Sequence, residues 1–251
     1  MKTELNGEER FRAAKLRVIG CDEKTEGVGG LNEKTLHRIL KFYFEPRIEF
    51  HERKLLGRVA DVLNESGVIE IQTRAMEKMN PKLSVFLHSA KVTLVIPLAK
   101  TKSVTWVDTE NGSLSKARKS PRGEGIFDAL FEMSKIKEHL FSENLTVKLL
   151  FLDVSEYRYL NGYGASKKRG ARRLDRIPNA IISELDVNCA HDVFLALKDA
   201  LPTDFTAKTF AALTKKGSRK NYYILKLLLD IGVVKLIGKE GRAHVYALSE
   251  T

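Results

Sequence analysis

The chain has 251 residues, 43% of them hydrophobic, which is enough for a sizeable core and too much for a globally disordered polymer. No apolar run approaches the ~18 residues of a transmembrane helix, and Met1-Lys2-Thr3-Glu4-Leu5-Asn6-Gly7 lacks a signal peptide's apolar stretch, so a cytoplasmic protein is expected. Lys and Arg number 43 against 32 Asp and Glu, a net charge of +11; each phosphate neutralised by such a side chain releases a counterion, so polyanionic partners are favoured.

In chain order, a helix is expected over Glu9–Val18. The polar stretch ending in Gly27-Val28-Gly29-Gly30 is a linker, because no strand precedes it and the G-x-G-x-x-G spacing is absent. Asn32 can cap a helix over Glu33–Tyr43, with Leu36, Ile39, Leu40 and Tyr43 on one side and Pro46 at its end. A strand follows over Arg47–Lys54. Arg58–Leu63 and Val68–Gln72 alternate about the turn Asn64-Glu65-Ser66-Gly67. Arg74–Ala90 is helical, restarted at Asn80-Pro81. It leads into the apolar run Val92–Leu98, a strand buried on both faces and parallel to its predecessor across a right-handed crossover.

A hairpin around Glu110-Asn111-Gly112, a helix over Gly125–Phe141 and a strand over Leu145–Leu152 complete an α/β domain. The chain is expected to turn helical again from about Ala180. A last unit begins near Pro202, with helices over Phe205–Leu213 and Ser218–Ile231. Gly232 ends the second of these, and two strands alternate about the turn at 238–242. The implied organisation is an extension over 1–30, a domain over 31–176, and a helical connection with the last unit over 177–251.

Two cysteines, Cys21 and Cys189, exclude a disulfide framework, and six scattered histidines without H-E-x-x-H argue against zinc. Walker A and G-x-S-x-G motifs are absent. The chemistry concentrates in the first hairpin. With 64–67 as the turn, Leu63 opposes Val68, Val62 opposes Ile69, and Asp61 opposes Glu70. Opposed residues share a face with β-carbons about 5 Å apart, so two carboxylates confront one another with Gln72 two residues on. A divalent cation relieves that repulsion, and Mg²⁺ binds through one or two carboxylates, waters and phosphate oxygens. The alternative is a solvated polar face.

Helix–hairpin–helix–strand carrying Asp61…Glu70-x-Gln72 resembles the PD-(D/E)XK nuclease superfamily, a likeness covering roughly residues 31–98. The resemblance implies a restriction endonuclease-like αβββαβ core in which Asp61 and Glu70 bind Mg²⁺ or Mn²⁺. In it Gln72 takes the water-positioning place usually held by Lys, and Glu33 joins from the preceding helix. Ala60 stands where Pro is common, and a neutral Gln72 lacks the point charge of Lys. Arg74, Lys78 and Lys82, four residues apart on the expected helix, are candidates to supply that charge and to meet the nucleic acid.

The C-terminal helix–helix–hairpin resembles a winged helix-turn-helix. This implies DNA contacts from Arg219, Lys220 and Asn221 at the start of the second helix, and from Lys239 and Arg242 on the wing. Such modules also bind proteins. Residues 111–180 are the most basic third, with 14 Lys or Arg against 8 Asp or Glu. Within it Lys167, Lys168, Arg169, Arg172 and Arg173 form a cluster suited to phosphate contacts. The expected function is metal-dependent DNA endonuclease action directed by a winged helix, with a homodimer as one arrangement and RNA left open as a substrate. A non-catalytic DNA-binding regulator on a degenerate nuclease fold is the alternative.

Overall fold

The computed structural model describes residues 6–20, 35–159 and 173–249. Cys21, Gly27–Gly30, Asn32, Glu33, Lys167, Lys168, Arg169 and Arg172 therefore lie outside the described residues. Helix α1, Gly7–Ile19, starts at a reciprocal cap in which Asn6 accepts the Glu9 N–H and Glu9 accepts the Asn6 N–H. It buries Phe11, Ala14 and Val18. Helix α2, Thr35–Phe44, buries Leu36, Ile39, Leu40 and Tyr43, the stripe that helical periodicity predicts. Phe11 and Tyr43 meet edge to face at 6.0 Å and join the two helices.

Seven strands form one mixed sheet: β1 (His51–Leu55), β2 (Arg58–Asn64), β3 (Gly67–Ile71), β4 (Val92–Val107), β5 (Arg118–Lys119), β6 (Leu145–Tyr159) and β7 (Arg173–Val187). Their order is β1-β2-β3-β4-β6-β7, with β5 paired alongside β4. The first three make an antiparallel meander. Strands β4 and β6 run parallel, because Thr101 meets Asp153 and Ser103 meets Ser155 in step. Strand β7 returns antiparallel to β6: Thr146, Lys148 and Ser155 bond to Asn188, Asp186 and Asn179 in descending order.

Two compact units are distinguishable. The first takes residues 1–71, 97–124 and 150–184, and so contains α1, α2, the meander and β5. The second takes 72–96, 125–149 and 185–251. It holds α3 (Asn80–Phe86), α4 (Ile126–Met133), α5 (Ala190–Leu197), α6 (Ala207–Thr214) and α7 (Ser218–Asp230). It also holds a three-stranded sheet in the order β8 (Asp204–Thr206), β10 (Ala243–Leu248), β9 (Val234–Glu240). Phe86, Leu130, Met133, Phe210 and Leu228 of this unit are completely buried. No helix among the described residues is long and apolar enough to cross a membrane.

Several expected elements differ. The strand over Arg47–Lys54 begins only at His51, after a 3₁₀ turn at Ile48–Phe50. The helix over Arg74–Ala90 shrinks to a 3₁₀ turn, Met76–Met79, followed by α3, because Ala75 adopts a left-handed conformation that helix cannot continue through. Arg74, Lys78 and Lys82 consequently do not share one helix face. Helix Gly125–Phe141 stops at Met133, with a 3₁₀ turn to Ile136. Phe205 belongs to β8 rather than to a helix.

The largest departure is the segment from Ala180, expected to be helical and found within β7. Pairing with the fifteen-residue β6 overrides its weak local preference, and Pro178 is tolerated because β7 ends the strand order and is an edge. Residue 176, the expected domain boundary, lies inside this strand.

Backbone packing beside β4 is tight at one glycine. A β-carbon on Gly123 would stand 2.1 Å from the Lys100 carbonyl oxygen. The adjoining Glu124 clasps Ala99, donating its N–H to the carbonyl and accepting the Ala99 N–H, both at 2.8 Å. Gly123→Ala is expected to destabilise the protein by about 1–3 kcal/mol through overpacking. Gly238→Ala, where nothing lies within 4 Å of the added carbon, should stay within about 0.5 kcal/mol of wild type. Paired thermal melts check the contrast.

Candidate functional site

The β2–β3 hairpin has the register its sequence predicts. Val62 pairs with Ile69, Leu63 with Val68 and Asn64 with Gly67; continuing the count sets Asp61 level with Glu70, just beyond the last of these pairs. Asn64 accepts the Ser66 N–H at 2.9 Å and shapes the turn. Its side-chain amide donates to Glu45 at 2.9 Å. Arg47 holds Glu45 through two nitrogens and reaches Glu65 at 2.9 Å. The Arg47 guanidinium, opposed by burial and aided by Asn64, holds the Glu45 carboxyl down at about 2. This network ties the end of α2 to the hairpin turn.

The two carboxylates are not on open solvent. Glu70 is only 2% exposed, and its carboxylate accepts the backbone N–H of Asp61 at 3.3 Å. Asp61 Oδ2 accepts the Ile71 N–H at 2.8 Å. The same oxygen meets His37 Nε2 of α2 at 3.1 Å; which ring nitrogen carries the proton is a matter of tautomer. Each acid is thus tied to the backbone of the other's strand, and the imidazole comes from the preceding helix. His37 is the functional candidate that spacing alone underrated. One turn later, buried Lys41 meets Glu52 of β1 at 2.6 Å.

Glu33, the expected third acid, lies outside the described residues. Among those described, no group of three or more His, Cys, Asp or Glu is arranged to hold a metal ion. Asp61 and Glu70 do present the two hard oxygen ligands with which Mg²⁺ is ordinarily satisfied when waters complete its shell. Gln72 is occupied otherwise. Its amide donates to the carbonyls of Arg74 and, at 3.1 Å, Ala75, bracing the left-handed turn at Ala75.

The expected nucleic-acid residues divide sharply. Arg74, Lys78, Arg219, Lys239 and Arg242 are exposed. Asn221 is not: it is 7% exposed, donates to the Lys216 carbonyl at 2.9 Å and accepts from Thr214 at 2.6 Å. It joins α6 to α7 from inside. Lys220 Nζ lies 3.9 Å from Asp128 of α4 and 4.8 Å from the Phe131 ring centre, while Lys216 meets Asp128 at 2.7 Å. The start of α7 therefore faces α4 on one side, and Arg219 lies over Tyr223.

Arg173, expected in a basic cluster, lies beside a buried acid. With Arg158, Arg176 and Lys102 it surrounds Glu156, which is completely buried. Burial pushes the Glu156 carboxyl up, and bonds from Arg176 and Arg158 with the charge of Arg173 outweigh it, leaving it at about 2. The sequence carried a signal for this: Leu150, Leu152 and Val154 alternate inward along β6, and Glu156 continues their phase.

Comparison with known proteins places the chain in a family. A family model described as a domain of unknown function (DUF8091) matches residues 34–188, more than half of the chain, and the chain belongs to that family. The match spans α2 through β7 and so contains the carboxylate hairpin and the Glu156 cluster. A protein of Treponema pallidum (strain Nichols) named "Uncharacterized protein" is 27% identical over 215 residues, which cover 85% of this chain and 84% of that relative. No solved structure matches.

The shifted acids set the response to pH. Glu45 and Glu156 both sit at about 2, below the usual 4.5. Their contribution to stability is complete above the unfolded value and is lost as pH falls through the folded one. Tyr43 is shifted oppositely: burial and its bond to Glu184 push it up to about 12, so its contribution holds at neutral pH and fades as pH climbs through that value. Urea unfolding should show stability falling between about pH 5 and pH 2, with a shallower fall in Glu156→Gln.

Proposed function

We propose that this chain acts on nucleic acid as a phosphodiester hydrolase, built on a restriction endonuclease-like αβββαβ core with a winged helix at its C-terminus. The single observation that carries the reading is the hydrogen bond from the Asp61 N–H to the buried Glu70 carboxylate across the β2–β3 hairpin, which brings two acids together. Burying a carboxylate is costly without compensation, and two acids held face to face suit a divalent cation. The order α2-β1-β2-β3-α3-β4, with an antiparallel meander leading into the parallel pair β4 and β6, supports the same reading. So does the second unit, where α5-β8-α6-α7-β9-β10 follows the element order of a winged helix. A net charge of +11 accords with a nucleic-acid substrate.

In this proposal Asp61 and Glu70 hold Mg²⁺ or Mn²⁺. When bound, the ion supplies Lewis acidity at a phosphoryl oxygen and lowers the pKa of a coordinated water. His37 fixes the rotamer of Asp61 through Oδ2, and the Ile71 N–H fixes it from the adjoining strand. Exposed Arg219, Lys220, Lys239 and Arg242 contact phosphates; Asn221, buried at the helix junction, is left out of that role. A second reading, a DNA-binding regulator without catalysis, is favoured by one observation: the Gln72 amide, in the place of the motif's lysine, is spent on the carbonyls of Arg74 and Ala75.

Incubation with duplex, single-stranded and branched DNA and with RNA, under Mg²⁺ or Mn²⁺, tests the choice. Wild type should cut at least one substrate, and Asp61→Ala should reduce the rate by at least ~10²-fold, with His37→Ala intermediate. Binding without cutting under both metals selects the regulator.

A further inference from the structure

Four cations converge on one carboxylate in the first unit. Glu156 Oε1 accepts from Arg158 Nε at 2.6 Å, with Arg158 Nη2 at 2.5 Å. Its Oε2 accepts from Arg176 Nε at 2.9 Å and lies 3.1 Å from Arg173 Nε and 3.9 Å from Lys102 Nζ. The only other acid that these contacts bring in, among the described residues, is Glu124, 3.7 Å from Arg176. Leaving Arg173 aside, two carboxylates serve three cations, Arg158, Arg176 and Lys102.

The carboxylate is entirely buried, but the cations are not. Arg158 and Arg173 keep 30% and 29% of their side-chain surface, Arg176 16% and Lys102 13%. Each guanidinium has five N–H donors in a fixed fork. Glu156 takes Nε and Nη2 of Arg158 and Nε of Arg176, whose Nη2 lies 3.7 Å from Glu124, so some N–H donors of both forks remain beyond these contacts. Crowding like charges at a half-buried place costs free energy that an arriving anion relieves. The lowered pKa of Lys102, caused by burial against the opposing pull of Glu156, accords with that excess.

The surroundings extend the positive field. Strand β5 sets Lys119 opposite Ser103 and Arg118 opposite Val104, next to Lys102 on β4, and both are exposed. Trp106, on the same β4 face as Lys102 by strand alternation, lies with its ring centre 5.9 Å from the Arg158 guanidinium. Forked arginines holding a phosphodiester beside an indole that can stack on a base are the parts of a single-strand binding surface.

We propose that Glu156 is the internal template of a phosphate-binding site in which Arg158, Arg176, Arg173 and Lys102 grip the backbone of a nucleic-acid strand. The site is distinct from the carboxylate hairpin and rests on the reading of nucleic acid as the substrate. Glu156 is a positioning residue; the arginines make the contacts.

Fluorescence anisotropy with labelled single-stranded and duplex oligonucleotides across a salt series tests it. Arg158→Gln and Arg176→Gln should each weaken binding about 3- to 30-fold, uniformly across sequences, and lower the salt slope by about one. Glu156→Gln should act in the opposite direction, tightening binding and steepening the slope, an effect that partial unfolding cannot imitate. Lys91→Gln, an exposed change in the second unit, should leave both quantities unaltered. If wild type binds and all these variants retain its affinity and slope, the cluster is an internal ion network and the inference fails while the nucleic-acid reading stands. If wild type binds no oligonucleotide even at low salt, both fail.

Discussion

The pairing of Val62 with Ile69 and Leu63 with Val68 is the constraint on which the candidate chemistry depends. Side chains alternate with period two, so slipping the hairpin by one residue would turn the whole set to the other face. In the observed register, Asp61 and Glu70 meet on one face, while Ala60 and Val62, both fully buried, hold the other to the core. The turn is braced from outside the hairpin by Asn64, Glu45 and Arg47. A local hydrogen bond, a buried apolar pair and an ion network therefore specify the same register.

Buried charge is a recurring device here, and its three acids are managed differently. Glu45 is held by one arginine and an amide. Glu156 is held by several cations in excess of its own charge. Glu70 binds the backbone of the facing strand and confronts a second acid. A buried ion pair seldom adds net stability relative to apolar packing, yet removing one partner is expensive. Such groups constrain how neighbouring strands are placed, and all three lie within the matched family region. The excess of cations around Glu156 and the approach of two acids at Glu70 are opposite electrostatic conditions.

The second unit shows that neighbouring residues of one basic stretch can meet different surroundings. Ser218-Arg219-Lys220-Asn221 is polar throughout, but the side chains part company once α7 packs on α4 and α6. Asn221 points inward to close the helix junction, Lys220 turns to Asp128 and Phe131, and Arg219 remains outward. A run of polar residues at a helix start spans about 100° per residue, so neighbours necessarily face different surroundings. What each one does is decided by the helix it meets.

Much of the architecture was legible because it is written in short-range pattern. The capped stripe of α1, the apolar stripe of α2, the register of the first hairpin, the buried strand from Val92 and the α7–β9–β10 succession all follow from periodicity and turn residues. Asp61 opposite Glu70 follows from counting across the turn. The sequence by itself therefore determined these elements, the excess of basic charge and the facing carboxylates. Tertiary structure alone decided the rest. It drew residues from Ala180 into β7, since a long partner strand supplies hydrogen bonds that local propensity cannot predict. It brought His37 to Asp61 and turned Gln72 away to its own loop. It gathered Lys102, Arg158, Arg173 and Arg176 from three strands onto one buried acid. Contacts between residues far apart in the chain depend on strand order and on what each face covers, and neither is encoded in local spacing.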